Sequence, residues 1–252
     1  MEGHKRWRGK IALVTGASSG IGEAIARAFV GIQMKVAVAS RRKERLDALV
    51  SELSRDGAEM LTVGADVSKE EDVLSLFAYI HESWGTIDVL VNNAGTGTMG
   101  TIAEGKIQDW HETMNVNVVA TSICIREGLK DLENKEDAQI INISSVYAHR
   151  SQVPNFALYQ ASKFAILGLT GSLRAELHAR GSKVKVGMIS PGLVATEFRE
   201  RATGGKFTYE SYFKDFQPLM PKDVAEAALY LLSTPNYVQV QDIILSPIGQ
   251  GL

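Results

Sequence analysis

Seven short apolar runs, each separated from the next by a stretch of helix-like periodicity, restrict what this chain can become. They are IALVT (11–15), KVAVAS (35–40), EMLTVGAD (59–66), IDVLVN (87–92), QIINIS (139–144), VKVGMIS (184–190) and DIILS (242–246). Several are apolar almost throughout, as strands covered on both faces are. Helical periodicity occupies the intervals near 20–31, 42–56, 69–83, 104–131, 157–180 and 221–233. Strands that alternate with helices must be joined by crossovers, and crossovers are right-handed, so the pattern predicts a parallel sheet. The expected class is α/β, doubly wound, with a seven-stranded parallel sheet and helices on both faces. Local signals refine the boundaries. Ser68 and Glu71 form an S-x-x-E capping box for the third helix, and Pro221 suits a first helical position.

No linker, repeat or low-complexity stretch interrupts the 252 residues, so residues 1–252 read as one domain. A formal charge of −2 offers no basic surplus, which sets nucleic-acid binding aside. No run of about 18 apolar residues suggests a membrane span, and residues 1–10 are charged with no apolar run behind them. Cys124 is the single cysteine and reads as a packed core thiol in a reducing compartment. A cytoplasmic protein is expected. The segment 193–218 lacks a clear period and contains Phe198, Phe207, Tyr209, Tyr212, Phe213 and Phe216, the composition of a substrate lid.

Residues 15–22 read TGASSGIG, directly between the first strand and the first helix. Gly16 permits the tight turn, Gly20 lets the backbone approach a pyrophosphate, and Gly22 lets helix pack on strand. The helix behind the turn offers unpaired N–H groups and a positive end to phosphates, and a Rossmann dinucleotide site is expected there. The second strand ends in Ser40-Arg41-Arg42, with no acid to accept from a ribose 2′-hydroxyl. An anionic 2′-phosphate would instead meet the planar fork of Arg41, so NADPH is expected over NADH.

Tyr159 and Lys163 stand four residues apart at the start of a helix and therefore share one face. A free phenol has a pKa of about 10, too high for a base near neutrality. A lysine ammonium about 4 Å away, at an effective dielectric near 20, favours phenolate by roughly 4 kcal/mol, or about three pKa units before opposing desolvation. Tyr159 is thus expected to be acidified by Lys163. Ser144 and Ser145 end the fifth strand at the sheet edge where ligands bind in this architecture, and either hydroxyl could hold a reacting oxygen. Asn92-Asn93-Ala94-Gly95 occupies the matching edge of the fourth strand. Asn115 and Asn117 interrupt a helical pattern and mark either local polar work or a kink.

Taken in order, Thr15 to Gly22, Asn92 to Gly95, Tyr159 with Lys163, and Pro191-Gly192 resemble the signatures of the short-chain dehydrogenases/reductases, in their compact branch of roughly 250 residues. The resemblance covers nearly the whole chain. It implies that Asn117, Ser145, Tyr159 and Lys163 are catalytic, with Asn117 preferred to Asn115 and Ser145 to Ser144. Asn117 would hold a water that connects Lys163 to solvent. The resemblance also implies a cofactor surface of Gly16, Ser18, Ser19, Gly20, Ile21, Ser40, Arg41, Arg42, Asp66, Val67, Asn93, Ala94, Gly95, Tyr159, Lys163, Pro191, Gly192, Val194 and Thr196. Asp66 would bond the adenine, and Thr196 the nicotinamide carboxamide or the phosphates. RWRGKIALVTGAS, TSICIREGL and PKDVAEAALYLLSTP resemble a subgroup acting on steroids, farnesol-like isoprenoids or reactive carbonyls.

The implied activity is NADP(H)-dependent interconversion of a hydrophobic secondary or allylic alcohol and its ketone or aldehyde. A 3-oxoacyl thioester reductase and a non-catalytic dinucleotide-binding regulator are the alternatives. The family also implies a homodimer or homotetramer, through the helices near 104–131 and 157–180 and the last strand. No metal is expected, because His4, His81, His111 and His178 lack ligand spacing. His149 reads as a structural residue, while Tyr147 lies close enough to Ser145 to touch substrate.

Overall fold

The computed structural model describes residues 2–54, 57–150, 154–206 and 216–250. Its seven strands are β1 (Ile11–Thr15), β2 (Lys35–Ser40), β3 (Met60–Gly64), β4 (Val89–Asn92), β5 (Gln139–Ile143), β6 (Lys185–Pro191) and β7 (Asp242–Leu245). All are parallel and lie side by side in the order β3-β2-β1-β4-β5-β6-β7. The order reverses between β1 and β4, and the crevice of a doubly wound sheet opens at such a reversal. This is the Rossmann architecture expected from the alternation of apolar runs.

Helices α1 (Gly20–Gly31), α2 (Lys43–Ser54), α3 (Glu70–Trp84), α4 (Ile107–Met114), α5 (Ala120–Leu132), α6 (Ala157–Ala179), α7 (Phe198–Ala202) and α8 (Pro221–Ser233) surround the sheet. Alternate side chains of each strand feed two separate cores. Ala12, Val14, Val36 and Val38 pack with Phe29 of α1, Leu46 of α2 and Leu231 of α8. Leu13, Ala37 and Leu90 pack on the other face with Leu76 of α3, Cys124 of α5 and Leu177 of α6. Two covered faces explain why the strands read as continuous apolar runs. The Cys124 thiol lies inside the second core, and burial pushes its pKa up to about 12.

Two local expectations are corrected. Ser68 does not cap α3; its hydroxyl donates to Asp66 Oδ1 at 2.7 Å, and the N-cap position belongs to Lys69, with no side-chain cap. A nearer carboxylate has captured the hydroxyl that a capping box would use. The helical stretch near 104–131 is not continuous: α4 ends at Met114, a π turn spans Asn115–Val119, and α5 follows. Of the aromatic segment 193–218, residues 207–215 lie outside the described residues, and with them Phe207, Tyr209, Tyr212 and Phe213. Within the rest of that segment α7 forms a short helix beginning at Phe198. Pro221 does stand at the start of α8, where the Asp223 carboxylate accepts the Met220 N–H at 2.7 Å.

Ahead of β1, a 3-10 turn (Glu2–Trp7) seals one end of the first core. Trp7 is fully buried there and its indole N–H donates to Leu232 O at 2.7 Å. Trp7→Ala removes both the ring and the donor for that carbonyl. Urea denaturation should show a loss of about 3–5 kcal/mol, the usual cost of emptying a buried aromatic site.

Candidate active site

The carboxyl ends of β1, β4, β5 and β6 converge on one cleft, and the turn after β1 is its floor. Gly16 and Gly20 both take positive φ, 66° and 61°, which admits glycine with little strain. A Cβ on Gly16 would stand 2.7 Å from Ala94 Cα, and one on Gly22 would meet Asn93 Nδ2 at 2.4 Å. The approach is that close because Asn93 ties the two turns together. Its amide nitrogen donates to Thr15 O at 2.9 Å and to Gly16 O at 3.1 Å. Thr15 Oγ1 returns the link by accepting the Asn93 and Ala94 N–H groups at 3.1 and 3.2 Å. Ser19 is the N-cap of α1 and makes no side-chain cap, so the first turn of that helix keeps N–H groups aimed into the cleft.

At the end of β2, Ser40 Oγ donates to Ser18 Oγ at 2.8 Å. Arg42, rather than Arg41, folds back over the glycine turn and donates to Ser18 Oγ at 3.1 Å and Ser19 Oγ at 2.7 Å. Arg41 and Arg42 both line the cleft, as do Ile21, Asp66, Val67, Asn93, Ala94 and Gly95. Burial tends to raise the pKa of Asp66, but the Ser68 hydroxyl and N–H, with Arg41, hold it below the usual carboxylate range. On the far wall lie Pro191, Gly192, Val194 and Thr196, together with Gln250, whose Oε1 accepts from Leu193 N at 2.9 Å. Every residue assigned to the cofactor surface from sequence thus lies on this one cleft.

Tyr159 is in the first turn of α6 and Lys163 is one turn further on, both facing the cleft. Ser145 caps the 3-10 turn Val146–Ala148 by accepting from Tyr147 N at 3.2 Å, and it lies with Tyr159 on the cleft, where it favours the ionised phenol. Ser144 Oγ is buried beside it with no hydrogen-bond partner. Asn117 stands behind the cleft in the π turn. Its Oδ1 accepts from Thr96 N at 2.8 Å, while Nδ2 donates to Thr96 O at 2.8 Å and Ser162 Oγ at 2.9 Å. Asn115 is exposed and donates to Ser68 O at 3.2 Å. The wider π turn aims Asn117 inward, and such turns gather at functional sites.

The expected acidification of Tyr159 by Lys163 does not hold here. Lys163 Nζ donates to Ile143 O at 3.1 Å and lies 5.5 Å from the centroid of the Tyr159 ring. Burial therefore dominates both groups, because each loses solvation in its charged form. It pushes Tyr159 up to about 12, against the lowering effect of Ser145, and brings Lys163 down to about 8. The enclosure is aromatic. Tyr147 and Phe156 meet the Tyr159 ring edge-on at 6.0 and 6.3 Å, and Phe198 lies at 5.3 Å. Arg199 donates to Tyr147 Oη at 2.9 Å and covers Phe156. Phe156, Arg199, Arg201 and Gln250 escaped sequence reasoning, since none falls in a spaced motif. Phe198 was visible only as one aromatic among six in the unpatterned segment.

Sequence comparison decides what kind of cleft this is. The model of the short chain dehydrogenase family matches residues 10–205. The chain belongs to this family. It is similar to dehydrogenase/reductase SDR family member 11 of Bos taurus, with 39% identity over 98% of this chain and 99% of that protein. It is also similar to the farnesol dehydrogenase of Aedes aegypti, with 38% identity over 97% and 98% of the two chains. Among solved structures, the alcohol dehydrogenase of the archaeon Thermococcus sibiricus complexed with 5-hydroxy-NADP superimposes with a TM-score of 0.85. That match has 29% identity over 96% of this chain and 98% of that one. The chain is therefore an oxidoreductase of the short chain dehydrogenase family.

Among the described residues no group of three His, Cys, Asp or Glu side chains could hold a metal, and no helix is long and apolar enough to cross a membrane. His149 bonds Ser190 Oγ at 3.1 Å and Asp242 Oδ2 at 2.9 Å, the structural role expected of it. Replacing Asn93 by Ala would sever the bond between the two turns of this short chain dehydrogenase. Urea denaturation should show about 1–3 kcal/mol of lost stability for the carbonyls left without a donor.

Proposed function

We propose that this short chain dehydrogenase is an NADP(H)-dependent oxidoreductase interconverting a hydrophobic secondary or allylic alcohol and its ketone or aldehyde. The supporting observation is the convergence of Ser145, Tyr159 and Lys163 with the glycine turn on one cleft. A nicotinamide dinucleotide suits the cleft on local grounds: Gly16 and Gly20 leave a cradle that a Cβ would fill, α1 opens without a side-chain cap, and Ser144 Oγ is an orphaned polar atom. When bound, that cofactor supplies or accepts the hydride. The alcohol dehydrogenase noted above was solved with an NADP derivative, and the absence of an acid at Ser40-Arg41-Arg42 favours the phosphorylated form here.

Within this reading, Tyr159 Oη gives its proton to the carbonyl oxygen in reduction and takes it back in oxidation. Ser145 Oγ holds that same oxygen and stabilises the charge growing on it. The ammonium of Lys163 supplies a positive field beneath the phenol and restores its proton through the backbone and water around Asn117. Tyr147, Phe156 and Phe198 form an apolar wall around the reacting oxygen and exclude water, which suits a hydrophobic substrate. The exposed Val119 and Phe164, on the π turn and α6, and Ile244 on β7 belong to surfaces through which a homodimer or homotetramer would form. A cytoplasmic location completes the proposal.

Two measurements check it. Tyr159→Phe should abolish reduction of a steroid ketone, farnesal or a small diketone while NADPH still binds; retained turnover would remove Tyr159 from the chemistry. The pH profile follows from the lysine. Its pKa is brought down to about 8, so Lys163 is charged below that pH and neutral above it, whereas Tyr159 keeps its proton up to about 12. Carbonyl reduction measured as kcat/KM should therefore be level below pH 8 and fall above it. A profile flat to high pH would show that the charge of Lys163 is not required.

A further inference from the structure

Glu197 has no place in the chemistry above, yet it forms two ion pairs beside the glycine turn. It immediately precedes α7 and reaches the connection between β2 and α2, more than 150 residues away in sequence. Arg42 Nη1 donates to its Oε2 at 3.0 Å, and Arg45 Nη1 donates to its Oε1 at 2.7 Å. The same Arg42 guanidinium is held by Ser18 and Ser19 of the glycine turn. A bridge of one carboxylate and two guanidinium groups thus links the segment after β6 to the end of β2 and the first turn of α2, alongside the glycine turn. Beside it, the Thr196 methyl closes over Gly20, where a Cβ would approach it to 2.9 Å. The two arginines hold the Glu197 carboxyl below its usual range, so it is ionised at neutral pH.

A carboxylate that accepts from two guanidinium forks imitates a phosphate monoester held by the same forks, since both are anions presenting oxygens about 2.2–2.5 Å apart to planar donors. Two such anions on one guanidinium repel each other. We propose that Glu197 is a specificity-determining residue: its carboxylate occupies Arg42 and Arg45 in place of the 2′-phosphate of NADP(H) and releases them when that phosphate binds. The inference rests on the NADP(H) reading above. A 2′-hydroxyl has no charge with which to displace the carboxylate, so NADH leaves the bridge closed. Release has a consequence at the other end of the cleft. Phe198 and Arg199 follow Glu197 directly, and they pack on Tyr159 at 5.3 Å and bond Tyr147 at 2.9 Å. Capture of the 2′-phosphate therefore frees the short segment that walls the reacting oxygen.

The test is equilibrium binding to the full chain, followed by titration calorimetry, with NADPH, NADH, 2′,5′-ADP and 5′-AMP as probes. In Glu197→Gln, NADPH and 2′,5′-ADP should bind about tenfold more tightly, the effect expected when a competing charged hydrogen bond is removed. NADH and 5′-AMP should change less than twofold. Glu197→Ala should behave alike, and circular dichroism checks that both variants fold. If the parent chain itself binds NADPH no better than NADH, the cofactor reading fails and the inference falls with it. If the parent prefers NADPH but Glu197→Gln binds it equally or more weakly, the cofactor reading stands and the competing role of Glu197 is overturned.

Discussion

The side-chain amide of Asn93, donating to the carbonyls of Thr15 and Gly16, is the interaction on which the site depends. β1 and β4 are neighbours only because the strand order reverses between them, and at that reversal two turns leave the sheet side by side. Backbone groups at such a junction have no ladder partner, so a side chain must satisfy them. Asn93 does so from one turn and Thr15 from the other. The space this leaves suits glycine at 16 and 22 and fixes where α1 begins. The position of any phosphate relative to Tyr159 follows from that, because β5 and α6 are built onto β4.

Burial, rather than proximity, governs the ionisation of the reacting pair. A Tyr and a Lys four residues apart on a helix invite a simple Coulomb estimate, but the estimate assumes that the ammonium faces the phenol oxygen. Here the ammonium is bonded to Ile143 O, and three aromatic rings surround the phenol. Desolvation then raises the one pKa and lowers the other, so each shifts towards its neutral form, Lys163 remaining charged below about pH 8. A protonated phenol is the form needed to donate to a carbonyl. The environment thus suits reduction without a phenolate, a different route to the role that the spacing alone suggested.

Much of this was legible because it is local or periodic. Near-continuous apolar runs gave the strands within a residue or two, and the turn TGASSGIG lies where a strand-to-helix turn with three glycines must lie. Asn117 was detectable as a poor helix former inside a helix, and the π turn is the physical form of that discord. What was missed depends on competition between partners. Ser68 has the spacing of a cap, but Asp66 is nearer and charged. Arg41 and Arg42 both line the cleft, but that Ser18, Ser19 and Glu197 hold Arg42 over the turn is not visible in the spacing. No periodicity links Glu197 to β2, so nothing short of the folded sheet brings them together.

The two ends of the cleft are joined by a very short path. From Glu197 to Arg199 is two residues, yet the first grips the arginines after β2 and the last bonds Tyr147 beside the reacting tyrosine. A five-residue helix is too short to be stable by its own hydrogen bonds, so α7 keeps its position through these contacts at its start, through Phe198 on Tyr159, and through Ala202 O, which accepts from Met99 N at 2.8 Å. On the proposed function, charge beside the glycine turn and packing beside Tyr159 are therefore linked through one small element, without any rearrangement of the sheet.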